Sequence, residues 1–217
     1  MHPLVSVIIP TYNRGDLLAT ALASVAEQTF TDFEVLVVDD GSEEDLRPVI
    51  AAFAGAIRHV RIEHGGAARA RNAGIEAAQG ELIAFLDSDD AWLPEHLART
   101  VAILQQRPEV GLVYHDAITI DDDGQVEPPR RSRLRPRGWV TGPLLAYDFI
   151  PTPSVVCRRD LVRRAGCFDP AMVPSEDYDL WLKMSLLCRF EVVDQPLMRR
   201  RKHPGNISRQ HKTRNEV

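Results

Sequence analysis

Short apolar runs alternate with helical patterns through the first 120 residues, and this alternation constrains the fold more than any other feature. The runs that predict buried strands are residues 4–9, 33–38, 59–63, 82–87 and 110–120. The stretches that predict helices between them are residues 16–28, 45–53, 67–79 and 94–106. This order is typical of an α/β domain with a mainly parallel central sheet and helices on both faces. Pro10 is expected to end the first strand, because proline donates no ladder hydrogen bond.

The second half of the chain is less regular. We expect a turn at 121–124, an exposed arginine-rich loop at 130–137, a strand at 154–157, a helix at 176–187, a strand at 190–193 and a fraying tail beyond 207. No internal repeat or break in composition divides the chain. The 217 residues are therefore predicted to form a single domain.

The composition argues against several classes of partner and site. A net charge of -5 gives no reason to expect nucleic acid as a partner. Three widely spaced cysteines suggest neither a disulfide framework nor a zinc site. No apolar run reaches the ~18 residues that indicate a membrane-spanning helix, and the N-terminus lacks a secretory signal pattern. We therefore expect a cytoplasmic protein without an integral membrane segment.

Three aspartates follow the apolar run at residues 82–86 and form the strongest candidate site. Asp87, Asp89 and Asp90 fall beyond the carboxyl end of a predicted parallel strand, where open α/β sheets collect their ligands. Crowded carboxylates are costly there unless a cation balances them. The pattern favours a clamp for a divalent ion that carries a diphosphate. A solvated turn before a helix is the alternative, since aspartate suits both turns and helix N-termini.

Four other polar segments accompany the aspartates. They are residues 10–14 (PTYNR), 38–42 (VDDGS), 70–74 (ARNAG) and, far downstream, 175–181 (SEDYDLW). Together the five segments closely resemble the family 2 glycosyltransferases, which have the GT-A fold. The resemblance extends from the first strand to residues 203–206. It implies transfer of a sugar from a nucleoside diphosphate sugar, with UDP as the expected nucleotide, usually with inversion of the anomeric centre. It also implies Mg²⁺ or Mn²⁺ as cofactor.

The first two segments are expected to hold the nucleoside. Pro10, Thr11 and Tyr12 lie where the first strand leaves the sheet, so they can border the nucleoside. The resemblance places the base at Asp40, whose carboxylate can accept a hydrogen bond from a pyrimidine N–H. Capping of the turn before the 45–53 helix is the structural alternative for Asp40, and the two roles are compatible.

The next segments are expected to hold the phosphates and the metal. The guanidinium of Arg71 suits a phosphate or a base carbonyl. Asp89 is the predicted metal contact, and Asp87 is directed at the ribose or the metal, with Ser88 beside it in the donor site. Asp90 is expected to cap the following turn or to touch the acceptor.

Asp177 is the candidate catalytic base. An inverting transfer needs a carboxylate that takes the proton of the acceptor hydroxyl as its oxygen attacks the anomeric carbon. Asp177 begins a helix whose apolar stripe offers a rigid platform. The alternative is that Glu176 and Asp177 only complement the helix dipole, and for Glu176 this is the expected role.

Late in the chain, His203 is a candidate second metal ligand, by resemblance to GT-A enzymes in which a late histidine completes the metal shell. It follows a basic run at residues 199–202, which a solvated tail would also explain. His64 and His115 lack sequence partners and are expected to be structural. Trp92 is expected either to line the acceptor cleft or to pack in the core.

The predicted domain divides into a nucleotide-sugar half (residues 1–120), an acceptor half (121–207) and a flexible tail (208–217). A glycan or a lipid-linked molecule is the expected acceptor, met at the inner membrane surface if it is lipid-linked. Two alternatives remain: a non-catalytic nucleotide-sugar-binding protein, and a sugar nucleotidyltransferase. The second would need a glycine-rich N-terminal loop with a lysine, where this chain has PTYNR. A dinucleotide reductase is disfavoured because no G-x-G-x-x-G follows the first strand.

Overall fold

The computed structural model describes residues 2–53, 57–121, 125–126 and 135–202. The strands in this part of the chain are β1 (Val5–Thr11), β2 (Phe33–Asp39), β3 (Ile57–Arg61), β4 (Leu82–Phe85), β5 (Ala91–Trp92), β6 (Val110–Ile120), β7 (Val156–Arg158) and β8 (Arg189–Arg201). The α-helices are α1 (Gly15–Ala26), α2 (Arg47–Ala51), α3 (Ala67–Ala77), α4 (His96–Gln106), α5 (Thr141–Ala146), α6 (Arg159–Arg164) and α7 (Glu176–Ser185).

All the described strands join one sheet, in the order β3-β2-β1-β4-β7-β6-β8-β5. Strands β3, β2, β1 and β4 are parallel, and β6 is parallel to β8. Strands β7 and β5 run antiparallel to their neighbours. The mainly parallel sheet predicted from the sequence is confirmed.

Each face of the sheet is covered by its own apolar cluster, because successive strand residues point to opposite faces. On one face, Ile8 and Phe85 pack with apolar residues of α3, α5, α6 and α7. On the other face, Val7 and Ile9 pack with apolar residues of α1 and α4. Gly74 lets α3 lie close to β1, since a Cβ at this position would come within 2.4 Å of the Ile8 side chain. The prediction of helices on both faces is confirmed.

Pro10 continues β1 instead of ending it, so that prediction was wrong. Pro10 lies opposite Val38 in the parallel β1–β2 ladder. On the side of β1 that faces β4, the carbonyl of Ile8 accepts a hydrogen bond from the Leu86 amide. The β1–β4 ladder ends there, at the pair of Ile8 and Phe85. The nitrogen of Pro10 faces that same side, two residues further on, so the strand tolerates its missing N–H.

The last strand is much longer than residues 190–193. Strand β8 pairs with β6 twice, from Val110 to His115 and again from Ala117 to Ile120. Between the two stretches, residues 194–197 bulge away from the ladder, and this irregular segment with its proline hid the second stretch from sequence analysis. The basic residues at 199–201 consequently lie in a strand and not in a solvated tail.

Other differences concern short elements. Helix α2 spans only five residues, and β5, α5 and α6 were not predicted. Helix α5 falls within residues 121–207, the predicted acceptor half, and it buries Leu144. Residues 203–217, with His203 and the predicted tail, lie outside the described residues, as do residues 130–134 of the arginine-rich loop. No described helix combines the length and apolarity needed to cross a membrane.

Candidate active site

The carboxyl ends of β1, β2 and β4 meet at one edge of the sheet and carry the first group of candidate residues. The amide of Asp40 donates to the Thr11 carbonyl at 2.9 Å, which joins the ends of β1 and β2. Pro10 and Thr11 are buried within β1, whereas Tyr12 is 38% exposed just beyond it. The topology therefore presents an aromatic ring at the rim and a buried carboxylate beside it.

Asp40 is held by the loop that leads into α3. Its two carboxylate oxygens accept from the amides of Gly65 and Gly66, each at 2.8 Å. The Nδ1 of His64 lies 2.9 Å from the same carboxylate. The cap expected of Asp40 falls instead on its neighbour Asp39, which accepts the Ser42 amide at 2.8 Å. Asp40 therefore fixes the loop at residues 64–66.

His64 also extends the aromatic surface at this edge. Its ring stacks on Tyr12 with centroids 4.0 Å apart and an interplanar angle of 23°. The His64 side chain is 57% exposed. Although His64 was expected to be structural, it forms with Tyr12 a stacked pair of rings, and a nucleobase can pack against such a pair by adding a further ring to the stack.

The aspartates after β4 form one cluster. Carboxylate oxygens of Asp87, Asp89 and Asp90 all lie within 4.8 Å of one another. Each acid has a partner from a different part of the fold. Asp87 pairs with Arg71 of α3 at 2.8 Å, and Asp89 pairs with Arg14, which precedes α1, at 2.9 Å. The third, Asp90, accepts the Arg201 amide of β8 at 3.0 Å. The observed partner of the Asp90 carboxylate is therefore β8 and not the turn that follows it, while contact with an acceptor stays a prediction.

Burial and mutual repulsion disfavour the charged forms of Asp87 and Asp90. Burial raises the pKa of Asp87 above its ordinary value, even though Arg71 acts in the opposite direction. Burial, together with the charges of Asp87 and Asp89, raises the pKa of Asp90 well above its ordinary value. Ser88 is buried between them. Clustered carboxylate oxygens are the donors that Mg²⁺ and Mn²⁺ prefer, so the residues present fit a hard divalent ion.

Arg71 connects the aspartate cluster to α7. Its guanidinium donates to Asp87 at 2.8 Å and to Glu176 at 3.1 Å. The guanidinium also lies over the Phe168 ring, 5.4 Å from the centroid. Only 7% of the Arg71 side chain is exposed. Arg71 therefore has two carboxylate partners here, and Glu176 has a specific ion pair beyond the dipole role expected of it.

Asp177 is fixed through both carboxylate oxygens. The hydroxyl of Thr152 donates to Oδ2 at 2.7 Å, and the Tyr178 amide donates to Oδ1 at 2.8 Å. On the inner face of α7, Leu180 and Trp181 are fully buried, which provides the rigid platform that the apolar stripe predicts.

An aromatic cluster ties α7 to β4. The Phe85 ring, at the end of β4, lies 5.3 Å from Phe168 and 6.3 Å from Trp181, between centroids. Phe168 and Trp181 are 6.1 Å apart. Because Asp87 follows Phe85 by two residues and Trp181 lies one turn after Asp177, this packing sets the position of the base candidate relative to the aspartates. The negative charge of Asp177 contributes to the raised pKa of Asp87, so the two carboxylates lie within electrostatic reach.

Trp92 packs in the core and does not line a cleft. It is 3% exposed, donates from Nε1 to the Pro153 carbonyl at 2.7 Å, and stacks on His96 with centroids 4.1 Å apart. His96 in turn contacts His115, with Nδ1 and Nε2 2.8 Å apart. His115 is therefore structural, as expected.

Sequence reasoning missed three contacts of this site. Arg14, His64 and Thr152 bind Asp89, Asp40 and Asp177 respectively. Arg14 had a usable signal, because it follows Tyr12 by two residues at the same strand end. The Thr152 contact had none, since 25 residues separate the partners and no pattern marks them.

The fold and the site define an α/β domain of the GT-A type, with an acidic cluster beyond the end of β4 and a second carboxylate, Asp177, in the first turn of α7. The chain belongs to glycosyl transferase family 2, whose model matches residues 6–163. It is 32% identical, over 83% of its length and 69% of the relative's, to the *Escherichia coli* protein WfgD, a UDP-Glc:alpha-D-GlcNAc-diphosphoundecaprenol beta-1,3-glucosyltransferase. The chain spans 62%, 54% and 66% of the length of the first curated relatives that it matches.

Solved structures of similar proteins support the fold. *Staphylococcus aureus* TarS (residues 1–349), in complex with UDP-GlcNAc, superposes with a TM-score of 0.78 at 24% identity, over 96% of this chain and 61% of that one. A mannosyltransferase of *Pyrobaculum calidifontis*, in complex with GDP-Man and Mn²⁺, superposes with a TM-score of 0.75 at 21% identity, over 99% and 61% of the two chains. The predicted family and GT-A fold are confirmed.

Proposed function

We propose that this protein is a metal-dependent inverting glycosyltransferase that moves a sugar from a nucleoside diphosphate sugar to an acceptor hydroxyl. The observation that carries the proposal is the pairing of two acidic groups across one edge of the sheet. One is the cluster of Asp87, Asp89 and Asp90. The other is Asp177, which two hydrogen bonds hold on the opposing helix. Membership of glycosyl transferase family 2 supports the same reaction class.

The nucleoside is proposed to bind at the ends of β1 and β2. Tyr12 and His64 offer a stacking surface, and Asp40 offers carboxylate lone pairs beside it. A carboxylate accepts from the N3–H of uracil and also from the N1–H of guanine, so Asp40 fits either base, and the preference for uridine rests on the resemblance to relatives. The names of WfgD and TarS, with UDP-Glc and UDP-GlcNAc, agree with a UDP-linked donor, whereas the *Pyrobaculum* enzyme is described with GDP-Man.

A divalent ion, Mg²⁺ or Mn²⁺, is proposed to be held by Asp89 and Asp87, with His203 as a further candidate ligand. When bound, such an ion supplies positive charge that stabilises the departing diphosphate. Arg14 and Arg71 neutralise Asp89 and Asp87 in the structure, and Ser88 lies between these acids in the proposed donor site.

Asp177 is proposed to be the general base. As the acceptor oxygen bonds to the anomeric carbon, the carbon–oxygen bond to the diphosphate breaks with its electrons, and the acceptor proton moves to the Asp177 carboxylate. One lone pair on each carboxylate oxygen already accepts from Thr152 or Tyr178. The remaining lone pairs are the ones available to the acceptor.

The acceptor is proposed to be a glycan or a lipid-linked saccharide bound by the 121–207 half, opposite the 1–120 donor half. The acceptor in the WfgD name is diphosphoundecaprenol-linked, which agrees with a lipid-linked molecule. A cytoplasmic protein would meet such an acceptor at the inner membrane surface.

Donor binding tests this proposal directly. Calorimetric titration with UDP-glucose, UDP-N-acetylglucosamine, GDP-mannose and a dTDP-sugar, with Mn²⁺ or with a chelator, should detect binding of at least one donor, and only with the ion. Asp89→Asn should weaken that binding at least tenfold, whereas Asp160→Asn on α6, a remote exposed residue, should leave it unchanged. Equal affinity with chelator would exclude the metal clamp. Binding without any sugar release would favour a non-catalytic nucleotide-sugar-binding protein instead.

A further inference from the structure

Thr152 makes a contact with the proposed base that ordinary packing does not require. Its side chain lies in a short 3₁₀ turn (Thr152–Ser154) between α5 and β7 and is 3% exposed. The hydroxyl donates to Oδ2 of Asp177 at 2.7 Å. Hydrogen bonds to a charged group are short and strong, so this bond restricts the rotation of the Asp177 side chain.

The turn that carries Thr152 is itself fixed. Pro151 and Pro153 flank the threonine and restrict the backbone. Two backbone hydrogen bonds close the turn. The Ser154 amide donates to the Pro151 carbonyl at 2.9 Å, and the Val155 amide donates to the Thr152 carbonyl at 3.1 Å. The carbonyl of Val155 accepts the Phe85 amide of β4. The position of the hydroxyl is therefore tied to the strand that ends at the aspartate cluster.

A buried threonine usually satisfies its hydroxyl within its own helix or turn. Thr100, fully buried on α4, does so by donating to the His96 carbonyl at 2.7 Å. Thr152 instead donates to a carboxylate 25 residues away. The contrast provides a matched control, because both positions bury the same side chain and only one of them reaches the site.

We infer that Thr152 is a positioning residue that holds the carboxylate of Asp177 toward the acceptor. The inference rests on the proposed function, since it assigns Thr152 to the reaction through Asp177. Valine has the shape of threonine without the hydroxyl, so Thr152→Val removes the bond and little else. Thr152→Ser retains the donor.

The test measures turnover and donor affinity for the same preparations. The probe is the donor that binds in the calorimetric screen, with water as acceptor and nucleoside diphosphate release as the signal. Thr152→Val should lower kcat by roughly 10- to 100-fold, the range for loss of a hydrogen bond to a charged group, while donor Kd stays within about twofold. Thr152→Ser should recover most of the lost kcat, and Thr100→Val should match the wild type. If the valine variant does not bind donor, Thr152→Ala takes its place.

Several outcomes would overturn the inference. They are an unchanged kcat in Thr152→Val, a loss that serine does not restore, or an equal loss in Thr100→Val. Retained turnover in Asp177→Asn would show that Asp177 is not the base, and the positioning role of Thr152 would then fail as well. The proposal that the protein binds a nucleotide-sugar donor would still stand. If the wild-type protein releases no nucleotide from a bound donor, the proposed function itself fails.

Discussion

Arg71 carries a buried guanidinium between two carboxylates from different elements, Asp87 after β4 and Glu176 on α7. Removing one partner of a buried ion pair leaves an uncompensated charge, which costs far more than losing an exposed pair. Among the described residues, Asp87 and Glu176 therefore share this one guanidinium as their ion-pair partner.

Arg71→Met should lower the free energy of unfolding by about 3 kcal/mol, because Asp87 and Glu176 both lose their cation. Urea denaturation in metal-free buffer measures the change. Arg163→Met is the control, since the Arg163 side chain is 46% exposed and lies 3.9 Å from Glu76, and it should cost less than about 1 kcal/mol. Equal losses of unfolding free energy in the two variants would show that the ion pairs of Arg71 do not stabilise the fold more than an exposed pair does.

At the residue scale, sequence analysis identifies candidate functional side chains more readily than it identifies the side chains that bind them. Asp87, Asp89 and Asp177 could be named because they stand at strand or helix ends in a recurrent pattern. Their partners come from other elements, and only the packed structure brings these together. The pairing of Arg71 with Glu176 spans 105 residues, for example, and no local pattern encodes such a distance.

At the element scale, a buried histidine pair joins α4 to β6. Burial lowers the pKa of His96 well below its ordinary value and lowers that of His115 to about 4. The unfolded chain therefore binds more protons than the folded one once the pH falls below about 6.5. Stability due to this pair is complete above about pH 7 and is lost as the pH falls toward 4.

Unfolding free energies measured between pH 7 and 5.5 should show this loss, at about 2 kcal/mol for the two histidines together. His96→Gln should reduce the slope, because one of the two titrating groups is gone. His2→Gln, at an exposed position, should leave it unchanged. A wild-type stability that is flat over this interval would contradict the neutral, buried state of the pair.

Periodicity predicted the first five long strands of the sheet and their helices because buried faces impose it on the sequence. It failed where pairing overrides local preference. Pro10 is tolerated because the ladder on its nitrogen side has ended, and β8 resumes after a bulge because β6 offers a second stretch to pair with. Short elements such as β5 and α5 are defined by tertiary contacts and leave no periodic signal.

At the scale of the whole molecule, the alternation of strands and helices predicted the α/β class and the edge of the sheet where the site lies. The position of Asp177 relative to the aspartate cluster could not be predicted in this way. It depends on the packing of Phe85, Phe168 and Trp181, which joins α7 to β4. The proposed reaction requires that arrangement, because the acceptor oxygen that the base deprotonates must reach the anomeric carbon of the bound donor.

The measurement that tests this account most directly compares Asp177→Asn with the wild type for donor binding and for turnover in one preparation. Asparagine keeps the size of the side chain but cannot take the proton, so donor affinity should stay within about twofold while turnover falls ~10²–10⁴-fold. Asp179→Asn, on the same helix and paired with Lys183, should retain turnover. Turnover of Asp177→Asn within a few-fold of the wild type would contradict the account, because another group would then have to accept the proton.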